Sequence, residues 1–172
     1  MKKTRILVFL SLLIAMDIVL TRYLSFQIDT IRISLGFVPH SFSSMLFGPL
    51  IGGIGAALGD ILGMIIAPKG AYFPGFTISA LLSGMIYGLF LYRKPKTLLR
   101  ISLAVLCITL FVNIGLNTYW LTILLGKGYI AILPARIIKN AVVMPFQVSL
   151  IYLAWRYVGN YIEKNLLNRA DK

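Results

Sequence analysis

Residues 33–67 read ISLGFVPHSFSSMLFGPLIGGIGAALGDILGMIIA. The first 27 of them contain no Lys, Arg, Asp or Glu, and Asp60 is the one charge in the whole stretch. A membrane-crossing helix needs about 20 apolar residues, so this run is too long for one span. Gly48, Pro49, Gly52 and Gly53 supply a turn inside it. The reading is two short spans at about 37–50 and 53–67, tilted or covered by neighbours to make up for their length.

The pattern extends in both directions. Upstream, residues 25–35 carry Gln27, Asp29 and Arg32 among isoleucines and read as a folded external loop, which leaves a first span at about 5–24. Lys2, Lys3 and Arg5 ahead of an apolar run resemble a secretory leader. No small-residue cleavage motif follows, and the run continues past Asp17, so an uncleaved span is expected. Downstream, Pro68-Lys69-Gly70 and the aromatic turn Tyr72-Phe73-Pro74-Gly75-Phe76 lead into a span at about 76–92. A basic loop with Arg93, Lys94, Lys96 and Arg100 precedes a span at about 101–125, which has no charge at all. Gly126-Lys127-Gly128 turns the chain into a last span at about 130–157. The expected fold is an all-α integral membrane protein: one domain, 1–172, of six transmembrane helices.

Composition agrees. Hydrophobic residues make up 59% of the 172, charged residues 13%, and the mean hydropathy is +0.88. A soluble domain carries about 25% charged residues. Lys and Arg total 17 against 5 acidic residues, a net charge of +12. In a soluble chain that excess would suggest nucleic acid, but no soluble basic face can be drawn here. Placing both termini in the cytoplasm puts eleven cations on the inner side: Lys2, Lys3, Arg5, Arg93, Lys94, Lys96, Arg100, Arg156, Lys164, Arg169 and Lys172. That is the positive-inside pattern of a multi-pass protein of the bacterial cell membrane. Cys107 is the only cysteine and forms no intrachain disulfide.

Six cations remain, among them Arg22, Arg136 and Lys139 inside apolar segments. Ionisable groups at membrane depth are costly and mark functional sites. Arg136, Lys139 and Asn140 share a helix face by their spacing, as do Asn113, Asn117 and Trp120. Asp17 and Asp60 are the intramembrane acids, and Asp60 pairing with Lys139 would be a purely structural alternative. Tyr72, Phe73 and Phe76 lie at the same outer level. Cations beside amides and aromatics suit an anion with a flat heteroaromatic part: charge pairs for the anion, stacking for the ring, hydrogen bonds for its edges. His40, the only histidine, reads as a polar cap or pocket wall. No metal-ligand cluster, nucleophile elbow or phosphate-binding loop is present, so neither an enzyme nor a cofactor is expected. Small residues recur at four-residue spacing in Gly55/Gly59/Gly63, Gly84/Gly88 and Ser11/Ala15, which lets helix backbones approach in lipid.

Several stretches carry a family resemblance: Arg32-Ile33-Ser34-Leu35-Gly36-Phe37-Val38-Pro39, Leu46-Phe47-Gly48-Pro49-Leu50-Ile51-Gly52-Gly53 and Gly59-Asp60-Ile61-Leu62-Gly63. Tyr72-Phe73-Pro74-Gly75-Phe76-Thr77-Ile78-Ser79-Ala80 and Gly84-Met85-Ile86-Tyr87-Gly88 complete the set. The sequence resembles the substrate-binding S components of energy-coupling-factor (ECF) vitamin transporters, most closely the folate-specific members. The resemblance implies six helices and vitamin capture near the outer face. It also implies association with a membrane coupling subunit and two cytoplasmic ATPase subunits. The family's Ala-x-x-x-Ala contact motif corresponds here to Ser11 and Ala15. Folate would use cations among Arg22, Arg32, Arg136 and Lys139 for its glutamate tail. Trp120, Tyr72 or Phe73 would stack on its pterin, and Asp60 or Asn117 would pair with the ring edge. Another vitamin such as riboflavin or thiamine, or a structural membrane protein without a ligand, are the competing readings.

Overall fold

The computed structural model describes residues 3–28, 31–68, 70–159 and 161–162, with the side chains of Lys3, Phe26–Ile28 and 31–33 left out. Seven α-helices and one hairpin make up these residues. Helix α1 (Lys3–Ile18) continues through a π-helical turn at Val19–Tyr23. Strands β1 (Ser25–Ile28) and β2 (Ile31–Ser34) pair antiparallel, with Ser25 opposite Ser34. The external loop expected at 25–35 is therefore a β-hairpin. Helices α2 (Phe37–Phe47), α3 (Pro49–Ile66) and α4 (Pro74–Leu91) follow. Next come α5 (Leu98–Cys107), a π-helical stretch at Ile108–Leu116 and α6 (Asn117–Leu125), which form one continuous rod. Helix α7 (Tyr129–Ala154) ends in a third π-helical segment, Trp155–Gly159.

Five rods are long and apolar enough to cross a membrane: Thr4–Tyr23, Pro49–Ile66, Pro74–Leu91, Leu98–Leu125 and Tyr129–Gly159. The sixth, α2, has 11 residues, about 16 Å of helix, roughly half a hydrocarbon core. It is tolerated because it is sheathed by protein. Pro39, Ser41, Phe42, Ser43, Ser44, Met45 and Phe47 are all buried, and backbone at membrane depth is stable where protein rather than lipid surrounds it. The joint between α2 and α3 is tighter and earlier than the run of four turn residues suggests. Gly48 alone makes it, at φ 93°, a backbone state that only glycine adopts readily, and Pro49 opens α3 with a φ already suited to a helix.

Helices α3 and α4 are the most closely packed pair. A Cβ placed on Gly84 would stand 2.7 Å from the carbonyl oxygen of Gly52 and 2.8 Å from Gly53 Cα. The small-residue spacing is thus used within the chain, as backbone-to-backbone packing. The stripe Gly55/Gly59/Gly63 receives α1: Leu10 lies over Gly55, Asp17 over Gly59 and Arg22 over Gly63.

Large apolar side chains cover the outside of the bundle, including Leu7, Leu99, Phe111 and Ile130, each more than 60% exposed. Such a surface is stable in lipid and not in water. The buried apolar core gathers toward the basic loop: Phe42, Met45, Tyr87, Leu91, Ile101, Val105, Ile151 and Trp155 pack together. One polar pair is embedded there, Gln147 Nε2 donating to Tyr87 Oη at 2.7 Å. The other end, beneath the hairpin, holds the buried charges. The glycine contact yields a test. Gly84→Ala should lower stability by about 1–3 kcal/mol, the usual cost of overpacking. Gly115→Ala, whose Cβ would meet only Leu110 O at 3.4 Å, should be tolerated. Thermal unfolding of detergent-purified variants would compare the two.

Candidate functional site: the polar end beneath the hairpin

The π-helical turn at the end of α1 sets the site. An ordinary α-helix closes bonds four residues back, but here Leu24 N–H donates to Val19 O, five back, at 3.2 Å. The wider turn places Arg22 on the same inward side as Asp17. Both are 4% exposed. Arg22 does not snorkel to the surface; it turns into the bundle. Its Nη2 donates to Asp60 O at 3.2 Å and pairs with Asp60 Oδ1 at 3.4 Å, and Nη1 donates to Met64 Sδ at 3.1 Å. Gly63 makes the room: a Cβ there would sit 2.6 Å from Arg22 Nε. The second Asp60 oxygen accepts from Thr77 Oγ1 at 2.8 Å, and Tyr72 Oη lies 3.3 Å from that hydroxyl. Asp60 is thus held by α1 and α4, not by Lys139 as the structural alternative would have it.

Asp17 belongs to a second pair. Its Oδ2 lies 2.8 Å from His40 Nε2, joining α1 to the first turn of α2. A small recess of about 10 Å³ opens beside them, with Leu13, Ile14, Ser43 and Ala56 in its wall. That is room for about one water molecule and far below the roughly 300–1,000 Å³ of a site for a drug-sized molecule.

Aromatic rings form a third group. Phe73 contacts Trp120 (centroids 5.6 Å apart) and Phe76 (6.1 Å), and Tyr119 adjoins Trp120. Trp120 Nε1 donates to Ser79 Oγ at 3.2 Å, which fixes α6 against α4. Gly75 lets the indole approach, since a Cβ would stand 2.5 Å from Trp120 Cδ2.

A fourth group spans the long π-helical stretch and α7. Asn117 Nδ2 donates to Asn113 Oδ1 at 3.3 Å. The Asn113 carbonyl accepts from Thr118 Oγ1 at 3.3 Å and from Arg136 Nη2 at 3.1 Å. Asn140 is buried beside Arg136 on α7, and Lys139 is half-buried. Among the described residues Lys139 has no hydrogen bond or ion pair with either Asp60 or Asp17.

Five buried polar atoms have no hydrogen-bond partner among the described residues: Asp17 Oδ1, Arg22 Nε, Asn117 Oδ1, Arg136 Nε and Asn140 Nδ2. Buried polar groups are nearly always satisfied in folded proteins, so a cluster of exceptions calls for explanation. All five belong to these groups. Two are guanidinium donors, one an amide donor, and two are acceptors. Asp17 Oδ1 is walled in by Gly36; the other four are donors and an acceptor of the kind that can complement anionic and amide-like edges.

The structure therefore brings Arg22, Asp60 and Tyr72 into one network, Phe73, Phe76 and Trp120 into one ring cluster, and Arg136 and Asn117 onto Asn113, the first at its backbone carbonyl and the second at its side-chain oxygen. His40 engages Asp17. The Arg32 side chain lies outside the described residues, as do Asp29, Lys69 and the tail cations Lys164, Arg169 and Lys172. Ser11 and Ala15 are exposed on α1. Sequence reading missed Thr77 and Ser79 as partners of Asp60 and Trp120. Their position in the aromatic-turn segment was the available signal.

Five apolar rods with charge, amide and ring groups gathered at one end describe a multi-pass membrane protein that recognises small solutes. The model of the family "ECF transporter, substrate-specific component" matches residues 5–154, and the chain belongs to that family. It is 47% identical over 172 residues, the full length of both chains, to "Folate transporter FolT" of Clostridium novyi (strain NT). It is 36% identical over 155 residues to "Folate transporter FolT" of Leuconostoc mesenteroides, spanning 87% of this chain and 83% of that one. Among solved structures, "Crystal structure of FolT bound with folic acid" superposes with a TM-score of 0.80 at 39% identity, over 85% of this chain and 88% of that one.

The Arg22–Asp60 pair makes a separate prediction. Arg22→Met should destabilise the protein by about 1–3 kcal/mol, because it leaves the half-buried Asp60 carboxylate without its counter-charge. Arg22→Met combined with Asp60→Asn should recover most of that loss. Melting temperatures of the single and double variants in detergent measure it.

Proposed function

We propose that this chain is the folate-capturing subunit of an ECF transporter, binding the vitamin at the hairpin end for ATP-driven uptake. The observation that carries the reading is the structural match, at 39% identity over 85% of the chain, to FolT bound with folic acid. The full-length relationship to a folate transporter supports it.

The chemistry of the polar end fits. Folate's glutamate tail is a dianion, and Arg136 and Arg22 each carry a buried donor still unmatched. Lys139 and Arg32 are further cations for the same task. The pterin is flat and aromatic, suited to stacking against Trp120, Phe73 or Tyr72 with Phe76 behind them. Its amino-pyrimidine edge offers donors and acceptors that Asp60 and Asn117 complement. The hairpin end is then the outer face. The opposite end, with Arg93, Lys94, Lys96, Arg100 and Arg156, is cytoplasmic, in keeping with the positive-inside bias. Energy for transport comes from partners: a membrane coupling subunit and two cytoplasmic ATPase subunits. The exposed small pair Ser11 and Ala15 on α1 gives a smooth surface for the coupling subunit.

Titration of the purified protein with folate, riboflavin and thiamine tests the ligand. Saturable folate binding with none for the other two is expected, and binding of riboflavin or thiamine in preference to folate would overturn the reading. Arg136→Ala and Lys139→Ala should stay folded and weaken folate binding by about 2–5 kcal/mol, as for truncation of a buried charge contact. Unchanged folate affinity in calorimetry would remove those two residues from the site.

A further inference from the structure

We infer that Asp17 and His40 are a positioning pair for the ligand site: they tie α1 to α2 and so hold Arg22 where it meets its partners. The inference rests on the folate reading given above. Three observations carry it.

The first is connectivity. The hairpin leaves α1 after Tyr23 and returns at Gly36, one turn before His40. The Asp17–His40 bond at 2.8 Å therefore closes the base of the whole excursion that carries Arg22 and the two strands. A loop whose ends are tied together has less freedom to wander than one whose ends are free.

The second is fit. Asp17 is surrounded by glycines from two other elements: a Cβ at Gly59 would stand 2.5 Å from Oδ2, and one at Gly36 would stand 2.7 Å from Oδ1. The carboxylate is wedged between α3 and the start of α2, so its place is set by backbone rather than by flexible side chains. Thr21 adds to this by donating to Asp17 O at 2.7 Å, within the turn that redirects Arg22.

The third is that the rest of α1 is thinly held. Of the membrane-length helices it is the least buried. Its Leu7, Val8, Leu12 and Met16 are exposed. Leu10 on Gly55, Leu13 against the core and the buried Ile18 are its apolar seats, and the polar links Arg22–Asp60 and Asp17–His40 join its hairpin end to α3 and α2. A folate carboxylate that recruits Arg22 would compete with Asp60 for it. The Asp17–His40 link, whose recess is too small for the vitamin, stays in place during that exchange and keeps the guanidinium within reach. His40 thus acts through Arg22 rather than by touching folate.

The test is a variant series on the full chain, read by folate affinity and by the folate dissociation rate. His40→Leu should weaken binding about tenfold, on the scale of coupling carried through packed side chains, mostly through faster release. His40→Gln, whose amide can still donate to Asp17, should recover most of the loss. Asp17→Ala should resemble His40→Leu, and the double variant should lose no more than the worse single one. Less than a twofold change for His40→Leu would overturn the inference. So would losses that multiply in the double variant, or no recovery with glutamine, since both point to direct contact between His40 and ligand. Failure of the unaltered protein to bind folate would instead remove the functional reading itself.

Discussion

A guanidinium held inside a membrane protein needs a partner, and the burial of Arg22 organises the hairpin end around that need. The pairing with Asp60 draws α1 against α3, and the glycine at position 63 is the notch that permits it. Asp60 in turn needs its second oxygen satisfied, which brings in Thr77 and with it the start of α4. Three rods are thus registered by one ion pair, and the aromatic turn is delivered to the place where Phe73 can meet Trp120. An ion pair of this kind adds little net stability, because desolvation offsets most of the attraction. What it supplies is a specified arrangement, with donors left over.

The rods themselves were legible in the sequence for a physical reason. Lipid requires long uninterrupted apolar runs and tolerates charge only at their ends, so the spans are read from composition alone. The charged exceptions at Asp17, Arg22, Asp60, Arg136 and Lys139 were equally plain. Their partners were not. Arg22 meets Asp60 across 38 positions of chain, and no local pattern favours that choice over Lys139. The π-helical turn that aims Arg22 inward depends on a one-residue shift in hydrogen bonding, for which TRY at 21–23 gives no warning. The same holds for Ile108–Leu116, where the Asn113 carbonyl becomes available to Arg136. The hairpin was legible only as something too polar to cross.

The two ends of the bundle divide the labour. Toward the basic loop, large apolar side chains interlock with Trp155, which lies 5.3 Å from Phe42 and beneath Lys96. Within that packing lies the Gln147–Tyr87 hydrogen bond. The hairpin end has fewer apolar contacts and more polar groups that face one another imperfectly. Buried charge and apolar packing are therefore gathered at opposite ends of one bundle rather than in separate domains.

The single-glycine joint at Gly48 has a consequence for how the chain is built into lipid. With no loop between them, α2 and α3 cannot enter as independent segments, and an eleven-residue helix is a poor passenger on its own. The first half of this hairpin of helices must wait, partly exposed, until α3 and α4 close their glycine seam over it. The tolerance of so short a helix at membrane depth thus depends on a glycine seam made by the two helices that follow it.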